Sequence, residues 1–404
     1  MTNPVLDSAR LAFSAPVPSP ESPVPSPCRM DPTLSLLRDL VAIDSVNPSL
    51  VPGASGEAAI AERIAEELKA IGLDVEVREV RPGRPNVVGV LEGRGPGRAL
   101  MLCGHIDTVS VEGMTAPFDP VERDGRLYGR GAQDMKGGLA AMIGAARALV
   151  GGFARGRVVI AAVVDEEYAS AGAEALVEEW TADAAVVTEP TDLQIAVGHK
   201  GFSWVEIETR GRAAHGSRPA DGRDAILRMG RVLQRLERLD RELQARPPHP
   251  ILGTGSLHAS LVSGGRELSS YPDRCVLQME RRTVVGESDD RAIEEALAIL
   301  ADLTREDPQF EGDARRMFGR LPYEIPRDHE LVRALAGVLR GQGRAEAIGG
   351  MSFWTDAAIL GHAGIPSLLF GPGGAGLHST EEYVRIDDVV ACRDALAGLA
   401  RAFC

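Results

Sequence analysis

No apolar stretch of this sequence approaches the roughly 20 residues that a membrane-spanning helix requires, which argues against an integral membrane protein. The first residues also lack the basic segment followed by an apolar segment that marks a secretory signal. The five cysteines are odd in number and none stands in a CxxC pair, as is typical of reduced thiols. We therefore expect a cytoplasmic location.

Basic residues are outnumbered, with 44 Lys and Arg against 58 Asp and Glu and a net charge of −14. Such a negative field repels phosphate backbones, so nucleic acid is not an expected partner. A membrane is not an expected partner either, because no apolar run is long enough to span a bilayer. Most of the excess carboxylates need no role beyond keeping the surface solvated.

At 404 residues the chain is too long for one ordinary core, so two globular domains are expected. A Pro- and Ser-rich leader, 1–30, is predicted to be disordered, with Met30 as a second candidate start of translation. Four short apolar runs alternate with helical stretches, which predicts an α/β domain with a mainly parallel central sheet flanked by helices. The runs are Ala99–Cys103, Val158–Val164, Ala184–Val187 and Ser367–Phe370.

The pattern changes between residues 198 and 319. Strand-like and helical stretches follow one another there in the order β-α-β-β-α-β, which predicts an inserted ferredoxin-like α+β domain. The first domain, in which the catalytic groups would lie, is therefore expected in two parts, 31–197 and 320–404.

Each of the four apolar runs ends in, or leads to, a residue that can bind a metal ion. His105 follows the first run, the carboxylates of 165–167 the second and Glu189 the third, while a glycine-rich loop leads from the fourth to His378. Ligands of open α/β sheets bind at the carboxyl ends of the strands. A lone histidine is most often structural, but burying several such groups at one edge is very costly unless a cation offsets their charge.

A fifth candidate is Asp134, within the glycine-rich stretch 129–138 that opens a helix. Taken alone, Asp134 is explained equally well as the N-cap of that helix. Cys103 lies inside the first apolar run and is assigned to packing.

The order of these residues resembles that of the di-zinc aminoacylase family, which includes acetylornithine deacetylase, succinyl-diaminopimelate desuccinylase and glutamate carboxypeptidases. The resemblance covers nearly all of the chain after Met30. It implies a zinc-dependent hydrolase of amide or peptide bonds with two Zn²⁺ per chain, for which Co²⁺ or Mn²⁺ are possible substitutes. The motifs are Gly104-His105-Ile106-Asp107, the stretch 129–138, Asp165-Glu166-Glu167, Glu189-Pro190 and His378.

Residue by residue, the resemblance implies that His105 and Glu189 bind one ion, that Glu167 and His378 bind the other, and that Asp134 bridges them. Imidazole and carboxylate ligands suit zinc. Paired catalytic ions lie about 3.5–4 Å apart, a gap that one carboxylate can bridge.

Two further residues beside these ligands would act in catalysis. Asp107 would orient the His105 imidazole. Glu166 would be the general base, which takes a proton from the attacking water and delivers it to the leaving nitrogen. In an extended chain the adjacent Glu166 and Glu167 point in opposite directions, so that one ligates and the other faces the substrate.

The inserted domain also resembles its counterpart in the family. His215, in the stretch 211–219, matches the GxxxHxxxP histidine that stabilises the oxyanion, often from a partner subunit, which implies a homodimer through this lid and dimerisation domain. Arg282 matches the arginine that holds the substrate carboxylate, whereas Arg281 is expected at the surface. Many relatives have Asn where this chain has Ser269, and this difference weakens the inference of the substrate from the family.

The loop 349–356 resembles the family's substrate-carboxylate loop, which makes Ser352 and Thr355 candidate substrate-binding residues. Its apolar side chains form either a pocket or ordinary loop packing, and the sequence favours neither. Glu382 is expected only to cap or support the site. The apolar side chains of the loop are Met351, Phe353 and Trp354.

The leading hypothesis is a hydrolase that removes an N-acyl group from an amino acid, as acetylornithine deacetylase does. The alternative is a di-zinc exopeptidase, a carboxypeptidase or dipeptidase, that acts on short peptides and needs the same site. A non-catalytic binding protein on the same fold is a third reading, against which the intact Glu166 and the five ligand positions argue.

Overall fold

A computed structural model describes Met1 and residues 31–404. The prediction of disorder falls on residues that lie, apart from Met1, outside the described part of the chain. Residues Pro32–Cys404 form one compact unit. Within the described residues, no helix is both long and apolar enough to cross a bilayer.

Strands and helices alternate along most of the described chain. The strands are β1 (Asp74–Arg81), β2 (Arg84–Glu92), β3 (Ala99–His105), β4 (Val121–Arg123), β5 (Arg126–Tyr128), β6 (Arg157–Val163), β7 (Ala184–Val187), β8 (Ile195–His199), β9 (Gly201–Arg210), β10 (Ser256–Gly264), β11 (Arg274–Thr283), β12 (Glu311–Arg320), β13 (Tyr323–Glu324), β14 (Ile348–Met351), β15 (Ser367–Leu369), β16 (Gly374–Ala375) and β17 (Tyr383–Arg385). The helices are α1 (Pro32–Val41), α2 (Ala58–Ala70), α3 (Gly137–Leu149), α4 (Ala171–Glu179), α5 (Ala225–Gln244), α6 (Arg291–Glu306), α7 (Glu330–Gly341), α8 (Ala357–His362) and α9 (Ile386–Phe403).

The central sheet has a parallel core. Its strand order is β1-β2-β6-β3-β7-β15-β8-β13, with β14 paired to β8. The four predicted apolar runs correspond to β3, β6, β7 and β15, which pair in parallel, whereas β2 and β8 flank them in antiparallel orientation. The predicted α/β fold class is therefore confirmed. The outer strand β1 was not predicted, because it is mostly exposed and has no continuous apolar run.

Both faces of this sheet are buried. Leu100 and Leu102 of β3 pack into a cluster with α2, α3 and α9, while Met101 and Cys103 pack into a second cluster on the opposite face. Because side chains on both faces of the strand are apolar, the strand appears in the sequence as a continuous run rather than an alternation.

Gly138, in the first turn of α3, allows that helix to approach the sheet closely. A Cβ at this position would lie 2.0 Å from the carbonyl oxygen of Thr188, immediately after β7. Any side chain larger than hydrogen is therefore excluded. The approach places the helical turn Ala132–Lys136, which precedes α3, beside the end of β3, where the His105 backbone N–H lies 3.2 Å from Met135 Sδ.

The second sheet contains β9 to β12 in the order β10-β11-β9-β12, and all neighbouring strands are antiparallel. Helices α5 and α6 pack on one of its faces. The order of elements along the chain is the predicted β-α-β-β-α-β. The domain boundaries near residues 198 and 319 stay a prediction.

The expectation that Arg281 lies at the surface is wrong. Its side chain is fully buried, because it shares the helix-facing side of β11 with Leu277 and Met279. Glu287 Oε1 lies 2.7 Å from Arg281 Nη2, and Glu295 Oε2 lies 3.0 Å from Arg281 Nε. Two carboxylates from outside the strand thus balance the buried charge, which cannot be foreseen from the strand pattern alone.

Candidate metal centre and substrate cavity

The predicted ligands meet at the carboxyl edge of the parallel strands. His105 is the last residue of β3, Glu167 lies in the turn after β6, and Glu189 follows β7 by two residues. His378 comes from the loop between β16 and β17, and Asp134 from the turn before α3. Residues far apart in the sequence are therefore brought to one place by the ends of neighbouring strands.

Asp134 stands between the two histidines. Its Oδ1 lies 3.1 Å from His105 Nε2, and its Oδ2 lies 3.3 Å from His378 Nε2. Glu189 Oε1 is 3.8 Å from the same His105 nitrogen, and Glu167 Oε2 is 3.2 Å from the same His378 nitrogen. The side chains thus divide into two groups that share Asp134.

Burial makes this concentration of negative charge costly. Burial and the neighbouring Asp134 charge raise the pKa of Glu167 to about 7, and burial raises the pKa of Glu166 and of Glu189 well above the usual range. Glu167 Oε1 is buried and has no hydrogen-bond partner among the described residues. Divalent cations would offset this charge and give that oxygen a partner, so the residues present fit a pair of metal ions.

The histidines of the cluster are held in their charged form when no metal is bound. Hydrogen bonds with Asp134 and Glu167 raise the pKa of His378 to about 10. Burial lowers the pKa of His105, but its hydrogen bonds with Asp107 and Asp134 outweigh burial and leave that pKa well above the usual range. A metal ion binds only neutral imidazole, so metal binding must displace these protons.

We therefore expect zinc binding at about pH 8 to release about one proton or more per chain. Calorimetric titrations in buffers of different ionisation enthalpy give the number of protons released. The variant His378→Ala should release fewer protons than the wild-type chain. Zinc binding with no proton release at this pH would contradict the assignment of these histidines as ligands.

Asp107 organises the surroundings of His105. Its backbone oxygen lies 3.0 Å from His105 Nδ1, which leaves Nε2 directed at Asp134. Its carboxylate accepts the backbone N–H groups of Glu166 at 3.2 Å and of Glu167 at 3.1 Å. Asp107 therefore positions both an imidazole and the turn that carries the two glutamates.

The chain turns at Glu166 instead of continuing β6. The strand ends at Val163, and Asp165 has a positive φ of 71°. The assumption of an extended chain, on which the division of roles between Glu166 and Glu167 was based, therefore does not hold. Both side chains line the same cavity, and Glu166 has a carboxylate oxygen within 4.8 Å of ligand atoms of its neighbours in the cluster.

Glu382 supports the Asp134 turn from a distant part of the chain. Its carboxylate accepts the backbone N–H groups of Gly131, Gln133 and Asp134 at 3.0, 2.9 and 3.0 Å, and Arg130 Nη1 donates to it at 2.6 Å. This is the supporting role that the sequence suggested, and the structure gives its partners.

Two residues near the site were not predicted. Asn47 donates to the Asp107 carboxylate at 2.7 Å. Asp356 is buried, burial raises its pKa to about 7, and its Oδ1 has no partner among the described residues. The loop 349–356 was the only signal for Asp356, and it did not show that the residue lies close to the charges of His105 and Asp107.

A cavity of about 360 Å³ adjoins the cluster, and Arg282 lines it. Ser352 is exposed and Thr355 is buried, where its Oγ1 accepts the Ala357 backbone N–H at 3.2 Å; neither lines the cavity. His215 is exposed in a lid loop and lines a separate hollow, so one chain does not bring it to the metal ligands. Their predicted roles stay predictions.

Comparisons with known proteins find relatives of this chain. The profile of peptidase family M20/M25/M40 matches residues 101–402. Acetylornithine deacetylase from Myxococcus xanthus is 34% identical over 395 residues, which cover 93% of this chain and 99% of the relative.

Solved structures share the fold. A tripeptidase from Staphylococcus aureus superimposes with a TM-score of 0.76 at 22% identity, covering 91% of this chain and 97% of that one. A dinuclear metal-binding peptidase from Bacillus subtilis superimposes with a TM-score of 0.69 at 17% identity, covering 91% of this chain and 96% of that one.

Proposed function

The chain belongs to peptidase family M20/M25/M40 and is a metal-dependent hydrolase of amide bonds, and we propose that it removes an N-acyl group from an amino acid. The observation that carries the proposal is the Asp134 carboxylate between His105 and His378, with Glu166 lining the adjoining cavity. The acetylornithine deacetylase at 34% identity favours a deacylase over a peptidase.

Five side chains would hold two metal ions. His105 and Glu189 would bind one, Glu167 and His378 the other, and Asp134 would be shared. Their imidazole and carboxylate donors suit Zn²⁺, with Co²⁺ or Mn²⁺ as substitutes. When bound, such cations supply the Lewis acidity that polarises a scissile carbonyl and lowers the pKa of water.

Glu166 would perform the proton transfer. It accepts a proton from the attacking water as the new C–O bond forms, and it delivers that proton to the amide nitrogen as the C–N bond breaks. The products are a carboxylic acid and a free amine. The hydrogen bond from the Glu166 backbone N–H to Asp107 holds the turn in place during this transfer.

Arg282 would bind the α-carboxylate of the substrate. Its Nε donates to Glu280 at 2.6 Å, and in the described part of the chain no side chain pairs with its two terminal nitrogens. A guanidinium with two free donors suits a bidentate contact with a carboxylate.

Replacing Arg282 with Ala should raise KM for an N-acetyl amino acid by about 10- to 100-fold. The effect on the corresponding C-terminal amide should be much smaller, because the amide lacks the charge with which the guanidinium pairs. Initial-rate kinetics on the matched acid and amide measure the difference, and equal effects on both would remove this role. Arg274→Ala, on the exposed part of the same strand, is the control and should leave KM unchanged.

We further propose that two copies of the chain associate through the inserted domain. β10 is an edge strand, and Leu261 and Val262 on it are 66% and 61% exposed. An exposed apolar edge strand promotes aggregation unless another strand covers it. The same edge of a second copy of the chain would cover it. In this dimer, His215 of the second copy would stabilise the oxyanion.

Combining two inactive variants tests this exchange. His215→Ala and Glu166→Gln should each be inactive alone, but co-expression should restore about one quarter of the wild-type activity, since half of randomly assembled dimers are mixed and each mixed dimer has one intact site. The activity of the purified mixture is measured after mass spectrometry verifies mixed dimers. Asp134→Ala with Glu166→Gln is the matched control, because no intact site can form. Absence of recovery in the first pair would refute the exchange.

A hydrolysis screen separates the deacylase from the exopeptidase. N-acetyl and N-succinyl amino acids are compared with dipeptides and tripeptides, each with zinc, cobalt or manganese added. Faster turnover of the N-acyl amino acids supports the proposal. Faster cleavage of peptides would favour the exopeptidase. The fold that the chain shares with a tripeptidase is the specific observation behind this alternative.

We also propose a cytoplasmic location. Four cysteines, Cys103, Cys275, Cys392 and Cys404, are buried and unpaired in the described part of the chain. Unpaired thiols are typical of proteins kept in a reducing compartment.

A further inference from the structure

One face of the second sheet presents aromatic and arginine side chains to the cavity. Phe202 and Trp204 of β9 line the cavity, whereas Val205, on the alternate side, is buried in the cluster with α5 and α6. On β11, Arg282 stands opposite Phe202, and Glu280 stands opposite Trp204. Residues opposite one another in a sheet share a face, so these four side chains belong to one surface.

A bulge in β12 adds two more side chains to this surface. The pairing of β12 with β9 skips Met317, after which Phe318 stands opposite Trp204 and Arg320 opposite Phe202. A single extra residue reverses which side chains face each side of the sheet. Phe318 and Arg320 therefore line the cavity.

Six aromatic side chains line this cavity, Tyr168 among them, and the five that are Phe or Trp are together called the aromatic box. The chain has only nine Phe and three Trp, yet three of the Phe and two of the Trp are here. Four of these rings, those of Phe202, Trp204, Phe318 and Trp354, contact one another with centroids 5.3 to 6.1 Å apart and form one continuous apolar wall. Phe353 and Trp354 of the loop 349–356 thus contribute to a pocket, whereas Met351 packs against the buried core. The aromatic box comprises Phe202, Trp204, Phe318, Phe353 and Trp354.

A guanidinium group lies beside the aromatic box. The Arg282 guanidinium carbon lies 5.5 Å from the Phe202 ring centroid. The Glu280 carboxylate is occupied, because Arg282 Nε donates to it at 2.6 Å and Trp204 Nε1 at 2.9 Å. Glu280 therefore fixes the positions of Arg282 and Trp204 and is not left to bind a cation.

A second guanidinium lies on the other side of the aromatic box. The Arg320 guanidinium carbon is 5.7 Å from the Trp354 ring centroid, and its Nη1 pairs with Glu174 at 2.7 Å. Arg320 Nε is buried without a hydrogen-bond partner among the described residues. Of the described residues that line the cavity, only those of the metal cluster are carboxylates.

From these contacts we infer that the substrate is an N-acyl amino acid with an aromatic or large apolar side chain, and that Trp204 is a specificity-determining residue. The inference rests on the proposed deacylase function for the identity of the substrate. With the α-carboxylate on Arg282, the side chain of the same amino acid lies against the rings of Phe202 and Trp204. A cationic side chain such as that of ornithine would meet two guanidinium groups and no carboxylate outside the metal cluster, at a high desolvation cost.

Three probes that differ only in their side chain test this inference: N-acetyl-L-phenylalanine, N-acetyl-L-alanine and N-acetyl-L-ornithine, each with the zinc-loaded protein. We expect kcat/KM for the phenylalanine probe to exceed the other two by about 10-fold or more. Trp204→Ala should lower kcat/KM for the phenylalanine probe far more than for the alanine probe, which removes most of this advantage, and Trp204→Phe should retain it. Equal values for all three probes, or the highest value for ornithine, would overturn the inference while upholding the deacylase proposal.

Binding of the free amino acids gives a readout that does not depend on turnover. Quenching of tryptophan fluorescence measures the Kd of L-phenylalanine and L-ornithine, since two of the three tryptophans line the cavity. Trp180→Phe, which removes the third tryptophan, should leave the fluorescence change on binding and the Kd unchanged. If phenylalanine binds about 10-fold more tightly than ornithine, the side-chain preference is supported, even if no N-acyl amino acid is hydrolysed. The lack of hydrolysis would then contradict only the deacylase proposal. Ornithine bound as tightly as phenylalanine would refute the preference.

Discussion

Replacing Glu166 with Gln is expected to lower kcat by about 10²- to 10⁴-fold while leaving the bound metal unchanged. The amide has nearly the shape of the carboxylate but cannot accept the proton of the attacking water. Burial, which raises the pKa of Glu166, makes the carboxylate a stronger base than an exposed one. Steady-state kinetics and elemental analysis of the same purified protein give both quantities.

The metal content distinguishes a general base from a ligand. Loss of metal together with activity would show that Glu166 holds an ion, and a near-normal kcat would remove it as the base. Glu178→Gln is a suitable control, because Glu178 is exposed on α4 and should change neither quantity.

Replacing Asp134 with Ala is expected to remove at least one of the two metal ions and to lower kcat/KM by more than about 10³-fold. The reason is that one carboxylate contacts both halves of the cluster, through Oδ1 to His105 and Oδ2 to His378. Without it, the charges of Glu167 and Glu189 still repel each other, but the two metal positions no longer share a ligand. Elemental analysis after gel filtration measures the loss.

Glu382→Gln should have a smaller effect on metal binding than Asp134→Ala and serves as the comparison. Glu382 does not line the metal cluster but fixes the backbone of the Asp134 turn, so metal affinity should fall by about 10- to 100-fold, less than in Asp134→Ala. Excess zinc should restore activity to Glu382→Gln and not to Asp134→Ala. If Asp134→Ala kept two ions and a normal rate, the shared-ligand assignment would be wrong.

The resemblance to the di-zinc aminoacylases is confirmed by the family match over residues 101–402 and by the acetylornithine deacetylase relative. The sequence was sufficient for this because the motifs are short and local: most place a polar residue at the end of an apolar run, and the others place one in a glycine-rich stretch or after a glycine-rich loop. The four central strands were predicted for the same reason, since burial on both faces leaves a continuous apolar stretch in the sequence.

Residues whose role depends on distant partners were harder to predict. Arg281 was assigned to the surface, although Glu287 and Glu295 allow it to be buried. Asp356 and Asn47 gave no signal that connected them with the strand ends. In each case the decisive partner lies on another element, so no local pattern reports it.

The sequence by itself determined the chemical types and the order of the proposed ligands, because strand ends and glycine turns are encoded by neighbouring residues. Tertiary structure alone decided that Asp134 lies between two histidines, that the chain turns at Glu166, and that the aromatic box faces the cavity. The last depends on the pairing of β12 with β9, which skips Met317 and thereby sets the face to which Phe318 points. Register between strands is a property of two segments at once, and it therefore cannot be deduced from either segment alone.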